Sequence, residues 1–143
     1  MKGLLAISKE IFITNLDKQK LQKLIALEEE FQPRSKEYLD DLTYELERAI
    51  VTHPEDIPND VITMHSQVVL KDLENDEDLV YTLVYPDEAN IAEDKVSVLA
   101  PIGTAILGYR VGDVLHWKIP SGTLRLKVDK ILFQPESSGN FQL

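Results

Sequence analysis

Residues 96–122 read VSVLAPIGTAILGYRVGDVLHWKIPSG, and this stretch decides the fold of the carboxyl-terminal part. Val96 and Val98 alternate as in a β-strand with one covered face. Pro101 suits the first turn of a helix, and Gly108 suits its left-handed end. The two-residue period then returns at Leu115, Trp117 and Ile119. The stretch therefore predicts two strands joined by one short helix that crosses the sheet.

Three further strands are predicted from the same two-residue period on both sides of this stretch. Their alternating apolar residues are Val68, Leu70, Leu79, Tyr81, Leu83, Tyr85, Leu124, Leu126 and Val128. Asn75 with Asp76, and Ser121 with Gly122, supply residues that tolerate positive φ, so the first two and the last two strands should form antiparallel hairpins. Five strands with one covered face result.

The last strand changes phase along its length. Its apolar residues shift from Val128 to Ile131 and Phe133, which is an odd step. A β-bulge near Asp129 would absorb that step, because one extra residue restores the side chains to the same face.

The amino-terminal part has a helical period instead. Thr14 and Asp17 resemble a capping pair, and the apolar spacing that follows predicts a helix over residues 15–31. Pro33 ends that pattern, and a second helix is predicted over residues 35–51. Its stripe consists of Leu39, Leu42, Leu46 and Ala49. Since neither stripe is stable in water alone, the two helices should fold into an antiparallel hairpin.

Pro54 and Pro58 cannot continue a helix, so they divide the chain into a hairpin part, residues 1–53, and a sheet part, residues 54–143. The formal net charge of −10 is shared between the two ends of the chain, with −5 on residues 1–60 and −5 on residues 61–143. Such acidic surfaces do not suit a phosphate backbone, which is bound through Lys and Arg. A protein partner is favoured over direct, sequence-specific nucleic-acid binding.

Several functional classes lack sequence support. The chain of 143 residues has no cysteine, which excludes disulfides, thiolate metal sites and cysteine nucleophiles. No apolar stretch reaches the roughly 20 residues that cross a bilayer, so we expect a cytoplasmic protein without membrane contact. His53, His65 and His116 lack metal-ligand spacing, and Gly103, Gly108 and Gly112 do not form a P-loop. No cofactor, metal or catalytic residue is therefore predicted.

The segment 96–122 is similar to the corresponding stretch of the Gre class of bacterial transcript-cleavage factors. PEDIPNDVITMHSQV, TLVYP and the ending FQPESSGNFQL bring the chain closer still to the family of regulators of nucleoside diphosphate kinase, which are Gre-class relatives. This resemblance covers residues 11–143. It implies an α+β fold, with a short coiled-coil hairpin followed by an FK506-binding-protein-like (FKBP-like) antiparallel sheet domain containing one short helix.

The resemblance also implies a partner, bacterial RNA polymerase, near whose secondary channel the sheet domain docks while the hairpin points inward. In the cleavage factors an Asp-Ser-Pro motif opens the short helix and contacts the polymerase. The matching residues here are Leu99, Ala100 and Pro101, which keep only the proline, and Ile102 follows them. These four are the candidate polymerase-docking residues. The alternative interpretation of Pro101 is a good first residue of a helix.

Acidic side chains near the tip of the hairpin are the candidates for cleavage chemistry, in which such carboxylates help to hold a second metal ion. They are Glu28, Glu29, Glu30, Glu37, Asp40 and Asp41. Two arms of about 17 residues reach only about 25 Å, which favours a hairpin that stops short of a distant metal. The run of glutamates is also typical of a solvated helix end, and Glu37 and Asp40 suit a helix start through its dipole.

Three functions remain open from the sequence. The first is a non-catalytic, monomeric transcription regulator that competes with Gre-class factors for the polymerase. The second is weak transcript cleavage that uses Asp40 and Asp41. The third is prolyl isomerisation, as in other proteins of this fold, with Tyr81, Tyr85, Trp117 and Phe133 lining a cavity, although residues at a two-residue period more often fill a core.

Overall fold

A computed structural model describes residues 11–31, 36–119 and 122–140 of the chain. Strand β1 (Phe12–Thr14) leads into helix α1 (Asn15–Phe31), and helix α2 (Lys36–Arg48) leads into strand β2 (Ile50–Thr52). The rest of the chain forms β3 (Gln67–Asp72), β4 (Glu77–Val84), β5 (Lys95–Ser97), helix α3 (Pro101–Ile106), β6 (Val114–Ile119) and β7 (Gly122–Phe133). In the part of the chain that is described, no helix is long and apolar enough to span a bilayer.

The helix predicted over residues 15–31 is confirmed as α1. Its start is capped as expected, because the Asp17 backbone N–H donates to the Thr14 hydroxyl at 3.0 Å. α1 and α2 pack against each other through fully or nearly fully buried side chains: Leu21, Ile25, Leu39, Leu42 and Leu46. The connection at Gln32, Pro33 and Arg34 lies outside the described residues.

The prediction that the second helix runs to Val51 is wrong. α2 ends at Arg48, and β2 pairs in parallel with β1, Ile50 opposite Phe12 and Thr52 opposite Thr14. The Ile50 N–H donates to the Ile11 carbonyl at 2.9 Å. The three β-branched residues of β2 favour an extended backbone, and β1 beside them supplies backbone hydrogen-bond partners for a strand.

The five predicted strands form one sheet in the order β5-β4-β3-β7-β6. β3 with β4 and β6 with β7 are antiparallel hairpins, as expected, with Asp76 at φ 61° in the first turn and Gly122 at φ 142° after the second. The expectation of a wholly antiparallel sheet is wrong, because β5 pairs in parallel with β4. Residues 85–94 make this possible by carrying the chain back to the start of β5 through two short 3₁₀ turns.

The bulge predicted near Asp129 is confirmed. Val69 pairs with Lys130 and Leu70 with Val128, so Asp129 is the extra residue of β7. A second shift follows at Leu132, because Val68 pairs with Ile131 and Gln67 with Phe133. Ile131 therefore packs on the core, as expected, whereas Phe133 is 39% exposed, which corrects its predicted place on the core face.

The short helix α3 crosses the sheet as predicted, since it connects β5 and β6, the two edge strands. Its Ile102 and Ile106 are buried in the same core as Val68 and Leu126 of the sheet. That core continues without a break into the hairpin, whose buried apolar side chains belong to it as well. Hairpin and sheet thus share one hydrophobic core.

Candidate functional site

The first candidate site is the turn that opens α3, residues 99–102, which we call the docking turn. Its backbone is held by Ser97, whose hydroxyl accepts from the Leu99 N–H and whose carbonyl accepts from the Ala100 N–H, both at 3.0 Å. Ala100 is extended, with φ −71° and ψ 151°, as a residue before proline prefers. Pro101 is exposed, and Leu99 and Ala100 are half-buried. The turn therefore presents a small apolar surface to solvent.

The docking turn rests on a tightly packed support. The Thr104 hydroxyl donates to the Val98 carbonyl at 2.6 Å, which ties α3 to the end of β5. A Cβ on Gly103 would overlap the Ser97 carbonyl oxygen, so only glycine lets the helix lie this close to the strand. Ile102, 6% exposed, fills the core beneath the turn. The exposed surface is thus carried by a rigid base.

The described acidic side chains near the tip of the hairpin do not gather into a metal-binding group. Glu29 and Glu30 are exposed in the last turn of α1, Asp40 is exposed on α2, and Asp41 is half-buried. The Glu37 side chain lies outside the described residues. Among the groups that the structure describes, no three carboxylates or imidazoles come close enough together to hold a metal ion.

A polar network joins the hairpin to the sheet. We call the residues of this network, together with Ile11, β1 and β2, the hairpin root. The Asp17 carboxylate, at the start of α1, accepts a hydrogen bond from the Met64 N–H at 3.2 Å. Burial raises the pKa of Asp17 from 3.8 to about 7, and the negative charge of Glu136 adds to this effect. Glu136 is itself bound by the Thr63 hydroxyl at 2.7 Å.

His65 extends the network toward the loop after β4. Its Nε2 lies 2.8 Å from a Glu88 carboxylate oxygen, and its ring lies 5.6 Å from the ring of Tyr85. Burial alone would raise the pKa of Glu88, but the hydrogen bond and charge of His65, the Tyr85 backbone N–H and the charge of Lys95 together hold this pKa below its usual value. Burial raises the pKa of the Tyr85 phenol, and the charges of Asp17, Glu88 and Glu136 raise it further. The phenol therefore stays neutral.

Sequence reasoning missed this network because its members are scattered along the chain and converge only in three dimensions. The single signal in the sequence was the capping pair Thr14 and Asp17. The predicted hydrogen bond from the Asp17 backbone N–H to the Thr14 hydroxyl is present. The Asp17 carboxylate reaches across to the backbone of Met64 and so joins the two parts of the chain.

The three described side chains of the aromatic set considered for an isomerase cavity do not all point to the core. Tyr81 and Tyr85 pack against the core, whereas Phe133 is paired with Gln67 and partly exposed. The Trp117 side chain lies outside the described residues. His65 is paired with the Glu88 carboxylate, whereas His53 and His116 are exposed.

Comparison with known proteins assigns the two parts of the chain. A family model described as "Transcription elongation factor, GreA/GreB, C-term" matches residues 57–133, and one described as "Rnk N-terminus" matches residues 9–51. The class is thus that of GreA/GreB C-terminal domains preceded by a distinct helical part. A solved structure of a prokaryotic transcription elongation factor GreA/GreB from Nitrosomonas europaea has the same mixed fold. It superposes with a TM-score of 0.73 at 37% identity, covering 88% of this chain and all of that chain.

The protein named "Regulator of nucleoside diphosphate kinase" of Escherichia coli K12 is 44% identical over 105 residues, which are 73% of this chain and 77% of that protein. GreA of Chloroherpeton thalassium is 38% identical over 103 residues, which are 72% of this chain and 64% of that protein. The chain belongs to the family of the regulator of nucleoside diphosphate kinase, within the wider Gre family of transcription elongation factors.

Proposed function

We propose that this protein is a non-catalytic, monomeric transcription regulator that binds bacterial RNA polymerase near its secondary channel and competes there with Gre-class factors. In this proposal residues 54–143 form an FKBP-like docking domain, and residues 1–53 form a short coiled-coil finger. The relatives include transcription elongation factors, which supports a role in transcription.

The observation that carries the proposal is the docking turn. Its Pro101 stands exposed on a base that is otherwise buried, so the packing of α3 does not require that side chain. Leu99 and Ala100 replace the aspartate and serine of the cleavage factors, which removes a charge-assisted contact. Apolar burial against the polymerase would then supply the binding free energy, with Ile102 supporting the turn from below.

The dimensions of the finger support occupation of the channel without cleavage. α1 has 17 residues and α2 has 13, which correspond to about 25 Å and about 20 Å of helix. The exposed carboxylates on Glu29, Glu30 and Asp40 are not gathered with others into a metal-binding group in the described chain. A finger of this size is suited to blocking a longer factor rather than delivering carboxylates to a distant metal.

Binding of the purified protein to core RNA polymerase tests the docking turn. We expect Pro101→Asn to weaken binding at least about tenfold, because it places a polar side chain in an apolar contact. Its free energy of unfolding should fall by only about 0.4 to 1 kcal/mol, the usual cost of releasing a proline restraint in the unfolded chain.

Pro58→Asn is the matched control, since Pro58 is half-buried and lies outside the docking turn. It should bind the polymerase like the wild type. Wild-type protein that fails to bind core polymerase would overturn the proposed function. Equal binding by the Pro101 and Pro58 variants would show that the docking turn does not contribute to polymerase binding.

Backtracked elongation complexes separate regulation from cleavage. With magnesium and this protein alone, we expect the RNA to keep its length; with a GreA-class factor added, we expect cleavage to slow as the concentration of this protein rises. Shortened RNA with the wild type, lost in Asp40→Asn with Asp41→Asn, would establish the alternative, a weak cleavage factor.

A further inference from the structure

The loop between β4 and β5 displays an apolar side chain that nothing in the described fold covers. Ile91 is 92% exposed, the largest exposure among the large apolar residues of the described chain. A single exposed isoleucine on a flexible loop requires no explanation. The loop around Ile91 is, however, fixed from both sides.

Hydrogen bonds fix the backbone on each side of Ile91. Asn90 and Lys95 exchange a pair of N–H to carbonyl bonds, both at 3.0 Å, which closes the loop at its base. The Asn90 side-chain oxygen accepts from the Ala92 N–H at 3.0 Å. Asp94 adopts the left-handed conformation at φ 59°, and its carbonyl accepts from the Thr82 N–H of β4 at 2.9 Å. Folding thus orders this loop without burying its isoleucine.

Acidic residues lie on both sides of Ile91 along its loop. Asp87 and Asp94 are exposed, and the Glu88 and Glu93 side chains are 45% and 58% exposed. The one basic side chain of residues 86–95 is Lys95, and it forms an ion pair with Glu93 at 3.0 Å. A partner that covers Ile91 therefore meets a net negative rim, which favours a positively charged surface.

The loop is continuous with the docking turn. Both flank β5, an edge strand of only three residues, with residues 86–94 before it and residues 99–102 after it. At about 3.3 Å per residue, β5 separates them by only about 10 Å. We call this continuous surface, which comprises residues 86–94, β5 and the docking turn, the β5 edge.

We propose that Ile91 is a second, preorganised anchor of the polymerase-docking surface, which inserts into an apolar recess of a positively charged face of RNA polymerase. This inference rests on the proposed function and adds to it a contact residue and the charge of the surface that it meets. A side chain held in place before binding loses little conformational freedom on association, which is what an effective anchor requires.

Ile91→Asn tests the anchor without changing the charge, with Val111→Asn as the matched control. Val111 is 40% exposed and lies just before β6, the opposite edge strand of the sheet. We expect the Ile91 variant to bind core polymerase at least about tenfold more weakly than the wild type. The Val111 variant should bind as the wild type does. The Ile91 variant should melt close to the wild-type temperature because its side chain is almost fully exposed, whereas the Val111 variant should melt slightly lower because its side chain is partly buried.

Asp87→Lys tests the charge of the partner. If the polymerase face is positive, this exposed substitution should weaken binding, and the loss should shrink as salt screens the charges. Unchanged binding of Ile91→Asn, while the wild type binds, would overturn the anchor and leave the docking turn standing. Stronger binding of Asp87→Lys would overturn the positive face, and a wild type that does not bind at all would overturn the proposed function itself.

Discussion

At the hairpin root, Ile11 and Ile13 are fully buried, whereas at the β5 edge Ile91 lies in solvent and Pro101 is exposed. Both regions are ordered by hydrogen bonds to the backbone, through the Asp17 carboxylate in the first and the Asn90 side chain in the second. The two regions differ in the result of this ordering. At the hairpin root it completes the hydrophobic core, whereas at the β5 edge it holds Ile91 and Pro101 in solvent.

Substitutions in the two regions should therefore change different measured quantities. Changes at the root should lower the free energy of unfolding, and changes at the exposed Ile91 and Pro101 of the edge should weaken binding while leaving the melting temperature almost unaltered. Three predictions on stability test the first half of this comparison, and the polymerase-binding experiments test the second.

The largest effect is expected at Gly108, where α3 turns into the root. Its φ is 82°, and an added Cβ would lie 2.7 Å from the Ile11 Cβ. Gly108→Ala combines left-handed strain with overpacking, so we expect a loss of about 3 kcal/mol, or about 10 °C in melting temperature. Gly112→Ala is the control, because φ there is 97° with no atom within 4 Å of an added Cβ.

The Gly112 variant should lose only the strain, about 1 kcal/mol. Equal losses for the two glycines, measured by thermal or urea unfolding, would mean that the close approach to Ile11 does not matter. The root would then be less tightly packed than its geometry indicates.

The next effect is a dependence of stability on pH through Asp17. Its pKa rises from 3.8 to about 7 on folding, so between these pH values the folded protein holds a proton that the unfolded chain has lost. This protonation favours the folded state: its contribution is complete below about pH 3.8, declines as the unfolded chain ionises, and is gone once the pH has risen through 7. Asn resembles the protonated side chain at every pH. Asp17→Asn should therefore match the wild type only below about pH 3.8, and its excess in free energy of unfolding should grow by ~2 to 3 kcal/mol between pH 5 and pH 8.

Urea unfolding at both pH values measures this difference directly. The comparison between variant and wild type cancels the other groups that titrate in the range. A variant and a wild type with parallel pH profiles would show that the Asp17 carboxyl is not buried in the folded protein, and the polar part of the root would need revision.

The smallest effect is expected at Arg110, which ties β1 to the sheet part. Its guanidinium contacts both Asp60 carboxylate oxygens through Nε and Nη2, at 2.9 to 3.2 Å, and lies 5.4 Å from the centre of the Phe12 ring. Arg110→Lys loses the paired geometry and the stacking. Because both charges are partly exposed and screened, the loss should be ~0.5 to 1 kcal/mol.

Arg125→Lys provides the comparison, since Arg125 makes a single Nε contact to Glu74 at 2.7 Å and both side chains are half exposed. Its effect should stay below about 0.5 kcal/mol. If the two arginine variants unfold at the same urea concentration, the Asp60 contact adds nothing to the attachment of the root.

Local patterns determined a large part of this fold. The helix over 15–31 follows from its cap and apolar spacing, and the bulge at Asp129 follows from the odd step between Val128 and Ile131. Gly108 and Asp76 take positive φ as their positions in turns predicted. These features depend on neighbouring residues in the chain, whose geometry the sequence carries directly.

Other features were decided by contacts between distant segments. The apolar pattern predicts that residues 49–51 continue the second helix. Ile50 and Val51 instead pair with β1, and the Ile11 carbonyl accepts a hydrogen bond from the Ile50 N–H. The parallel pairing of β5 and the exposure of Phe133 likewise depend on which strands meet and in which register.

The candidate site divides in the same way. The sequence by itself determined the local structure of residues 99–102, because a proline that opens a helix after a strand is a local signal, and it determined the acidic balance of the chain. The docking role of these residues comes from the family resemblance and is a proposal. Only the tertiary structure buried Ile102, brought Asp17 to Met64 beside Glu136, and left Ile91 uncovered on a fixed loop. Burial and charge environment are sums over neighbours in space, and these neighbours are far apart in the chain.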